Sequence, residues 1–372
     1  MTEFLEFRGV SKRFGSIRAV DGVSLEIRKG EFFSLLGPSG CGKTTLIKSI
    51  AGIVQPDEGE VFIDDRRVTG LRVDEKEIGY VFQEIALFPH MTVIDNISYG
   101  LMVKGVPPRE RRSPINEMLE LMSLADRRSS YPEGLSGGAR QKTAVARALA
   151  SGSGLLLLDE PLGALDLKVR GVLRYELRSI VKDLGLTAIH VTHDQEEALS
   201  ISDRIVIMKA GRVVEVGRPE DLYLQPRNLF TAKFLGEANF MEGVVSRISE
   251  RGYIVDVDGS SFDVDRDEGL NFLKGEACIL MIRPEFVDLD LKNEPGGRNL
   301  LKGEMKTGVF VGDSMRYDVE VEDGLTILAK YPLSHYSPEI RADDEVFMYM
   351  PRERIRIYRY PEEGLEKELS LE

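Results

Sequence analysis

Unbroken apolar runs and amphipathic helical stretches fill the first two thirds of the chain, and short alternating segments take over near residue 237. The runs Phe32–Leu36 and Leu155–Leu158 lack the every-second-residue spacing of a half-exposed strand, which predicts strands buried inside a parallel sheet; Thr187–Thr192 is a third apolar strand. Residues 4–8 and Val23–Ile27 do alternate, as half-exposed strands should, and Gly59–Asp64 and Ile78–Phe82 are two more short strands. Helical spacing appears at Lys43–Ala51, with Leu46, Ile47 and Ile50 on one face and Gly52 as a stop, and again at Ala139–Ala150. Between Glu84 and Glu133 the helical pattern is looser, with Pro107-Pro108 and Ser113-Pro114 as expected breaks. Tyr253–Asp258, Ala277–Ile282, Arg316–Val321, Leu325–Lys330, Glu345–Met350 and Arg354–Tyr358 alternate and are punctuated by glycines, which suits a small β-barrel. The expectation is an α/β domain over 1–236, carrying an inserted helical subdomain at about 84–150, followed by a small all-β barrel over 237–372.

A length of 372 residues agrees with two domains, each able to bury a core. The net charge of -13 resides in the C-terminal third, where residues 237–372 hold 30 Asp and Glu against 17 Lys and Arg. An acidic barrel argues against a protein that tracks nucleic-acid phosphates. Two cysteines, Cys41 and Cys278, lie in different expected domains and fit a reducing compartment. No signal peptide is evident and no apolar stretch reaches bilayer length, so the expected location is cytoplasmic, with any membrane function supplied by a partner.

The densest chemistry lies in Gly37-Pro38-Ser39-Gly40-Cys41-Gly42-Lys43-Thr44-Thr45, which fits the phosphate-loop spacing between a strand and a helix. Its glycines let backbone N–H groups face a polyphosphate, Lys43 adds charge at the β/γ oxygens, and the Thr44 hydroxyl suits Mg²⁺. Cys41, at a helix N-terminus beside Lys43, is expected to have a lowered pKa and to be alkylatable. Asp159 and Glu160 end the Leu155–Leu158 run, where two adjacent carboxylates need a cation or a reaction to occupy them. Asp159 suits Mg²⁺ and Glu160 a general base for water. Gln83 at the end of the Ile78–Phe82 strand could ligate Mg²⁺ or orient water, or be a solvated loop residue. Ser136-Gly137-Gly138 opens a helix and offers either a second anion site or a plain cap. His193 follows a buried strand and Phe14 precedes Gly15; alone, each reads more readily as structural than as functional.

Together and in this order, these pieces resemble the nucleotide-binding subunit of ATP-binding cassette (ABC) transporters, across most of residues 4–236. The resemblance implies adenine stacking by Phe14, a Walker A loop at Gly37–Thr45, a Q-loop at Gln83 and a signature at Leu135–Gly138. It likewise implies a Walker B aspartate at Asp159, a catalytic carboxylate at Glu160, a D-loop at Asp166 and a switch histidine at His193. Two departures stand out: Ala139 replaces the Gln that usually follows Ser-Gly-Gly, and Gly163 stands where Ser is frequent. The acidic barrel is similar to the OB-like TOBE domain behind the cassette of importer ATPases, either as a ligand sensor or as a dimer-stabilising appendage. Gly236–Phe240 followed by Glu242-Gly243 resembles the polyamine and ferric iron branch more than the sugar branch.

By that resemblance the chain is expected to be an ATPase working with ATP and Mg²⁺ as a homodimer that sandwiches two nucleotides. It would sit on the cytoplasmic face of the membrane beneath two permease subunits, with a solute-binding protein outside. Permease loops would dock near Glu84–Tyr99. Non-transport relatives that act on DNA or ribosomes fit less well. Only about 90 residues without sustained heptads separate the phosphate loop from the signature, too few for the coiled-coil insertion of the repair type, and the ribosomal type usually carries two cassettes.

Overall fold

The computed structural model describes residues 3–267, 269–290, 298–321, 324–335 and 341–370, and divides them into two units on either side of the step from Leu222 to Tyr223. The first unit runs β1 (Glu3–Phe14), β2 (Ile17–Arg28), β3 (Phe32–Leu36), α1 (Lys43–Ala51), β4 (Glu58–Ile63), β5 (Arg66–Arg67) and β6 (Ile78–Val81). Helices α2 (Val93–Val103), α3 (Pro108–Leu121) and α4 (Gly137–Leu149) come next. They lead to β7 (Leu155–Asp159), α5 (Leu167–Asp183), β8 (Thr187–Thr192), α6 (Gln195–Ile201), β9 (Arg204–Lys209) and β10 (Arg212–Gly217), and the boundary between the units falls within α7 (Pro219–Leu224).

Two sheets result. The six-stranded one has the order β10-β9-β3-β8-β7-β6, parallel from β9 to β6 with β10 antiparallel at the edge. The other, β2-β1-β4-β5, is antiparallel. The unbroken apolar runs are explained by burial on both faces of the larger sheet. Phe32, Leu156 and Leu158 pack with Val93, Ile97, Met118, Val145 and Leu177 of the helices. Their neighbours Phe33, Leu35, Leu155 and Leu157 pack on the opposite face with Leu46, Ile50, Leu5 and Val23. This layering delivers the C-terminal ends of β3, β6, β7 and β8 to one edge, where open parallel sheets place their ligands.

The helical insertion differs from expectation at one point. Pro108 starts α3 as its first residue, as the Pro107-Pro108 break anticipates, but α3 runs through Pro114 without ending. Burial of Ile115, Met118 and Leu119 on its inner face outweighs the roughly 3 kcal/mol that an interior proline costs a helix.

The second unit contains α8 (Leu229–Phe234), β11 (Asn239–Ile248), β12 (Gly252–Val257), β13 (Ser260–Asp265), β14 (Ala277–Ile282), β15 (Asp288–Asp290), β16 (Leu300–Phe310), β17 (Ser314–Val321), β18 (Thr326–Pro332), β19 (Glu345–Tyr349), β20 (Arg356–Arg359) and α9 (Leu365–Leu369). Two five-stranded antiparallel sheets, β13-β12-β11-β14-β20 and β15-β19-β16-β17-β18, share one core that includes Met241, Val255, Phe262, Leu280, Met305, Val319, Ile327 and Met348. They form the all-β, OB-like barrel that the alternating segments predict.

Sequence reading places the change of character after residue 236, whereas the structure divides the chain between Leu222 and Tyr223. The intervening segment is tied to the barrel by Arg283. This buried guanidinium donates to the carbonyls of Tyr223, Ala232, Gly236 and Glu237.

Candidate nucleotide site

Between β3 and α1 the loop Gly37–Gly42 is shaped by close backbone approach. A Cβ on Gly37 would lie 2.3 Å from the Met208 carbonyl oxygen, and one on Gly42, at φ +102°, would lie 2.1 Å from that of Ala19. Only glycine fits either place. Gly42 caps α1 without a side chain, so the first-turn N–H groups and the positive end of the helix are left for an anion. Lys43 bends back along the loop, donating to the carbonyls of Gly37 at 2.7 Å and Pro38 at 2.8 Å, which holds a buried ammonium beside the same space.

Two carboxylates meet this loop from the tip of β7, in different settings. Asp159 is only 3% exposed; it accepts from Thr44 Oγ1 at 3.1 Å and from Tyr80 Oη at 2.9 Å. Glu160 turns outward through a left-handed backbone, φ +46°, an arrangement costing about 1 kcal/mol that such sites retain when they need a side chain aimed. Its Oε2 accepts from Gln83 Nε2 at 3.0 Å and lies 3.3 Å from His193 Nδ1. Strand ends thus bring Lys43, Thr44, Gln83, Asp159, Glu160 and His193 together. Among the described residues no group of three or more His, Cys, Asp or Glu is placed to hold a metal. The hard oxygens of Thr44 and Asp159 fit Mg²⁺ of the kind that keeps few protein ligands and completes its shell with phosphate and water.

The remaining candidates lie elsewhere. Ser136 caps α4 by accepting from Ala139 N–H at 3.3 Å, so the cap forms through the backbone despite the missing amide at 139. Gly138 lies close against α5, where a Cβ would approach Val169 Cγ1 to 3.1 Å. Asp166 caps α5 through Val169 N–H at 3.0 Å. Phe14 ends β1 half exposed, with the Lys12 ammonium 5.5 Å from its ring centroid.

The ABC transporter family profile matches residues 20–163, and that of the TOBE domain matches 280–357. The spermidine/putrescine import ATP-binding protein PotA of Pseudomonas aeruginosa strain UCBPP-PA14 is 42% identical over 321 residues, which cover 86% of this chain and 88% of that protein. PotA of Thermotoga maritima is 38% identical over 350 residues, covering 92% and 95%. The chain belongs to the ATP-binding subunits of ABC importers. A solved dimeric ATP-binding cassette in a post-hydrolysis state with ADP and Pi is 34% identical, with a TM-score of 0.52 over 58% of this chain and 98% of that one.

As an importer ATPase, the chain binds ATP and couples its hydrolysis to solute transport. One expectation is corrected. Cys41 is 4% exposed, and burial pushes its thiol pKa up, outweighing the lowering by Lys43 3.7 Å away. The loop turns its backbone rather than this sulfur outward. Sequence reading passed over Tyr80 in this ATPase. Tyr80 sits in the same short strand as Gln83's approach, but its meeting with Asp159 is made only by the pairing of β6 with β7.

Proposed function

We propose that this importer ATPase hydrolyses MgATP as a homodimer to drive polyamine uptake through two permease subunits, on the cytoplasmic face of the membrane. The observation that carries the catalytic reading is the convergence of Gln83 and His193 on one oxygen of Glu160 beside the phosphate loop. The 42% identity with PotA over 88% of that protein's length supports the polyamine assignment.

In this reading the phosphate-loop N–H groups and Lys43 bind the β and γ phosphates, and Phe14 stacks on adenine. Thr44, Asp159 and Gln83 would hold Mg²⁺, which when bound neutralises charge between the β and γ oxygens. Glu160 accepts a proton from the attacking water, and His193 keeps that carboxylate and the γ-phosphoryl aligned. Ser136–Gly138 presents its helix start to the nucleotide of the second subunit, with Asp166 at the same junction. Permease loops dock near Glu84–Tyr99, so that Gln83 joins docking to the site.

The test is reconstitution of the chain with its permeases and solute-binding protein in vesicles. Spermidine or putrescine should stimulate ATP hydrolysis and accumulate inside. Stimulation by a sugar or by ferric iron alone would overturn the polyamine assignment.

A further inference from the structure

Arg170, on the first turns of α5, makes contacts that reach both halves of the catalytic edge. Its Nη1 donates to Asp194 Oδ2 at 3.1 Å, and its Nη2 donates to the carbonyls of Gly163 at 3.3 Å and Leu165 at 3.1 Å. The side chain is 19% exposed, and Nε faces the buried Glu197 carboxylate at 3.8 Å, beyond hydrogen-bond reach.

Each contacted group sits next to a residue of the site. Gly163 N–H donates to the Glu160 carbonyl at 3.2 Å, so the carbonyl that Arg170 holds belongs to the turn that aims Glu160. Asp194 directly follows His193; it caps α6 through Glu197 N–H at 3.1 Å and is held from its other side by its own N–H donating to Thr192 Oγ1 at 2.9 Å. The His193 side chain itself is exposed. The 3.3 Å approach of His193 to Glu160 spans two loops whose strands are joined where Glu160 N–H donates to the Val191 carbonyl at 3.0 Å, and beyond that point the Arg170 guanidinium bridges them again.

We infer that Arg170 is a positioning residue for hydrolysis, holding the loop after Glu160 and the loop of His193 in register. The inference rests on the catalytic reading of Glu160 and His193. The planar fork matters: Nη1 holds Asp194 while Nη2 holds the two carbonyls, so the two loops are gripped by separate nitrogens at a fixed spacing, which the one nitrogen of an ammonium does not reproduce. Displacement of a reacting group by about 1 Å can cost on the order of a hundredfold in rate, while nucleotide binding uses the phosphate loop, which Arg170 does not touch.

The experiment uses the full chain with MgATP. Arg170→Ala should lower kcat about tenfold to a hundredfold, with the Kd of a fluorescent ATP analogue within about twofold of the parent. Arg170→Lys keeps the stem and charge and should stay at least about fivefold below the parent in kcat. Asp194→Ala should reduce kcat in the same sense, and the double variant should lose no more than the worse single one, because both changes break one bridge. Losses that multiply would overturn the inference, as would full activity in Arg170→Lys or an equal rise in Kd. If Arg170→Ala fails to fold, Arg170→Lys and the Asp194→Ala comparison decide. If instead Glu160→Gln and His193→Ala hydrolyse ATP at the parent rate, the catalytic reading has failed, whatever Arg170 does.

Discussion

Tyr80 donates its hydroxyl hydrogen to Asp159 Oδ2 at 2.9 Å, while Thr44 engages the other carboxylate oxygen. Burial, with Asp159 beside it, raises the Tyr80 pKa, so the proton stays on the phenol and the pair is a donor and an acceptor rather than two anions. Asp159 has little solvent to replace that donor. Tyr80→Phe should therefore destabilise the first unit by about 1.5–3 kcal/mol, the usual worth of a hydrogen bond to a charged group. The ring contact with Phe82, 4.4 Å between centroids, can remain. Loss of an orienting partner should also weaken Mg²⁺ binding about tenfold or more. Calorimetric Mg²⁺ titration with nucleotide and a denaturant melt check both; parent values in each would show that Tyr80 only fills space.

Cys41 gives a chemical readout of the loop. A buried thiol with a raised pKa is a poor nucleophile at neutral pH, because the thiolate is the reacting form. N-ethylmaleimide at pH 7 should modify Cys41 at least about tenfold more slowly in the native chain than in urea. Peptide mass spectrometry distinguishes it from Cys278, which is also buried and whose pKa is pushed up to about 12. Rapid native labelling of Cys41 would mean that the loop opens far more than the structure indicates.

These two residues mark where sequence was legible. The phosphate loop is contiguous, so its spacing alone locates it, and Leu155–Leu158 reads as a strand because burial on both faces removes alternation. Partners far apart in the chain carry no such signature: Tyr80 meets Asp159 across 79 positions and Arg283 reaches Tyr223 across 60. Strand β16 escaped notice because only Leu301 and Met305 of its residues are buried and its register with β17 shifts between Met305 and Thr307, which breaks the alternation. Cys41 was misjudged because a helix terminus and a nearby lysine are visible in sequence while burial is not.

Behind the His193 loop lies a titrating pair. His190 is fully buried and its pKa falls to about 4, chiefly through burial; its Nδ1 meets Ser34 Oγ at 3.1 Å and its Nε2 lies 3.6 Å from Glu197. The neutral form is favoured in the folded chain, whereas the unfolded chain protonates near 6.5. Stability should therefore fall as pH drops from about 6.5 toward 4, by on the order of 3 kcal/mol from this group. Burial raises the Glu197 pKa, which acts in the opposite sense, since the folded chain then binds that proton more readily. His190→Asn keeps the Ser34 hydrogen bond and removes the titration. Urea unfolding at pH 7 and pH 5 should show a smaller acid loss in the variant than in the parent. An unchanged difference would place the acid sensitivity elsewhere.

Glu160→Gln tests the site and the assembly together. The amide keeps the contacts with Gln83 and His193 within reach but cannot accept a proton from water, so kcat should fall about 10²–10⁴-fold. Lys43, Thr44 and Asp159 are untouched, and nucleotide affinity should change little. If each nucleotide is shared between the phosphate loop of one subunit and Ser136–Gly138 of the other, a variant that binds without hydrolysing should accumulate as an ATP-dependent dimer by light scattering. Adding Ser136→Arg should abolish that dimer, because it removes the cap on α4, worth about 1 kcal/mol, and places a bulky side chain at the helix start. A melt of Ser136→Arg alone separates lost docking from lost folding, since a cap of that size cannot unfold the unit. Glu160→Gln that turns over near the parent rate would remove Glu160 as the base. An inactive variant that stays monomeric at saturating MgATP would mean that the isolated chain does not form the shared site, and that the permeases must bring the two copies together.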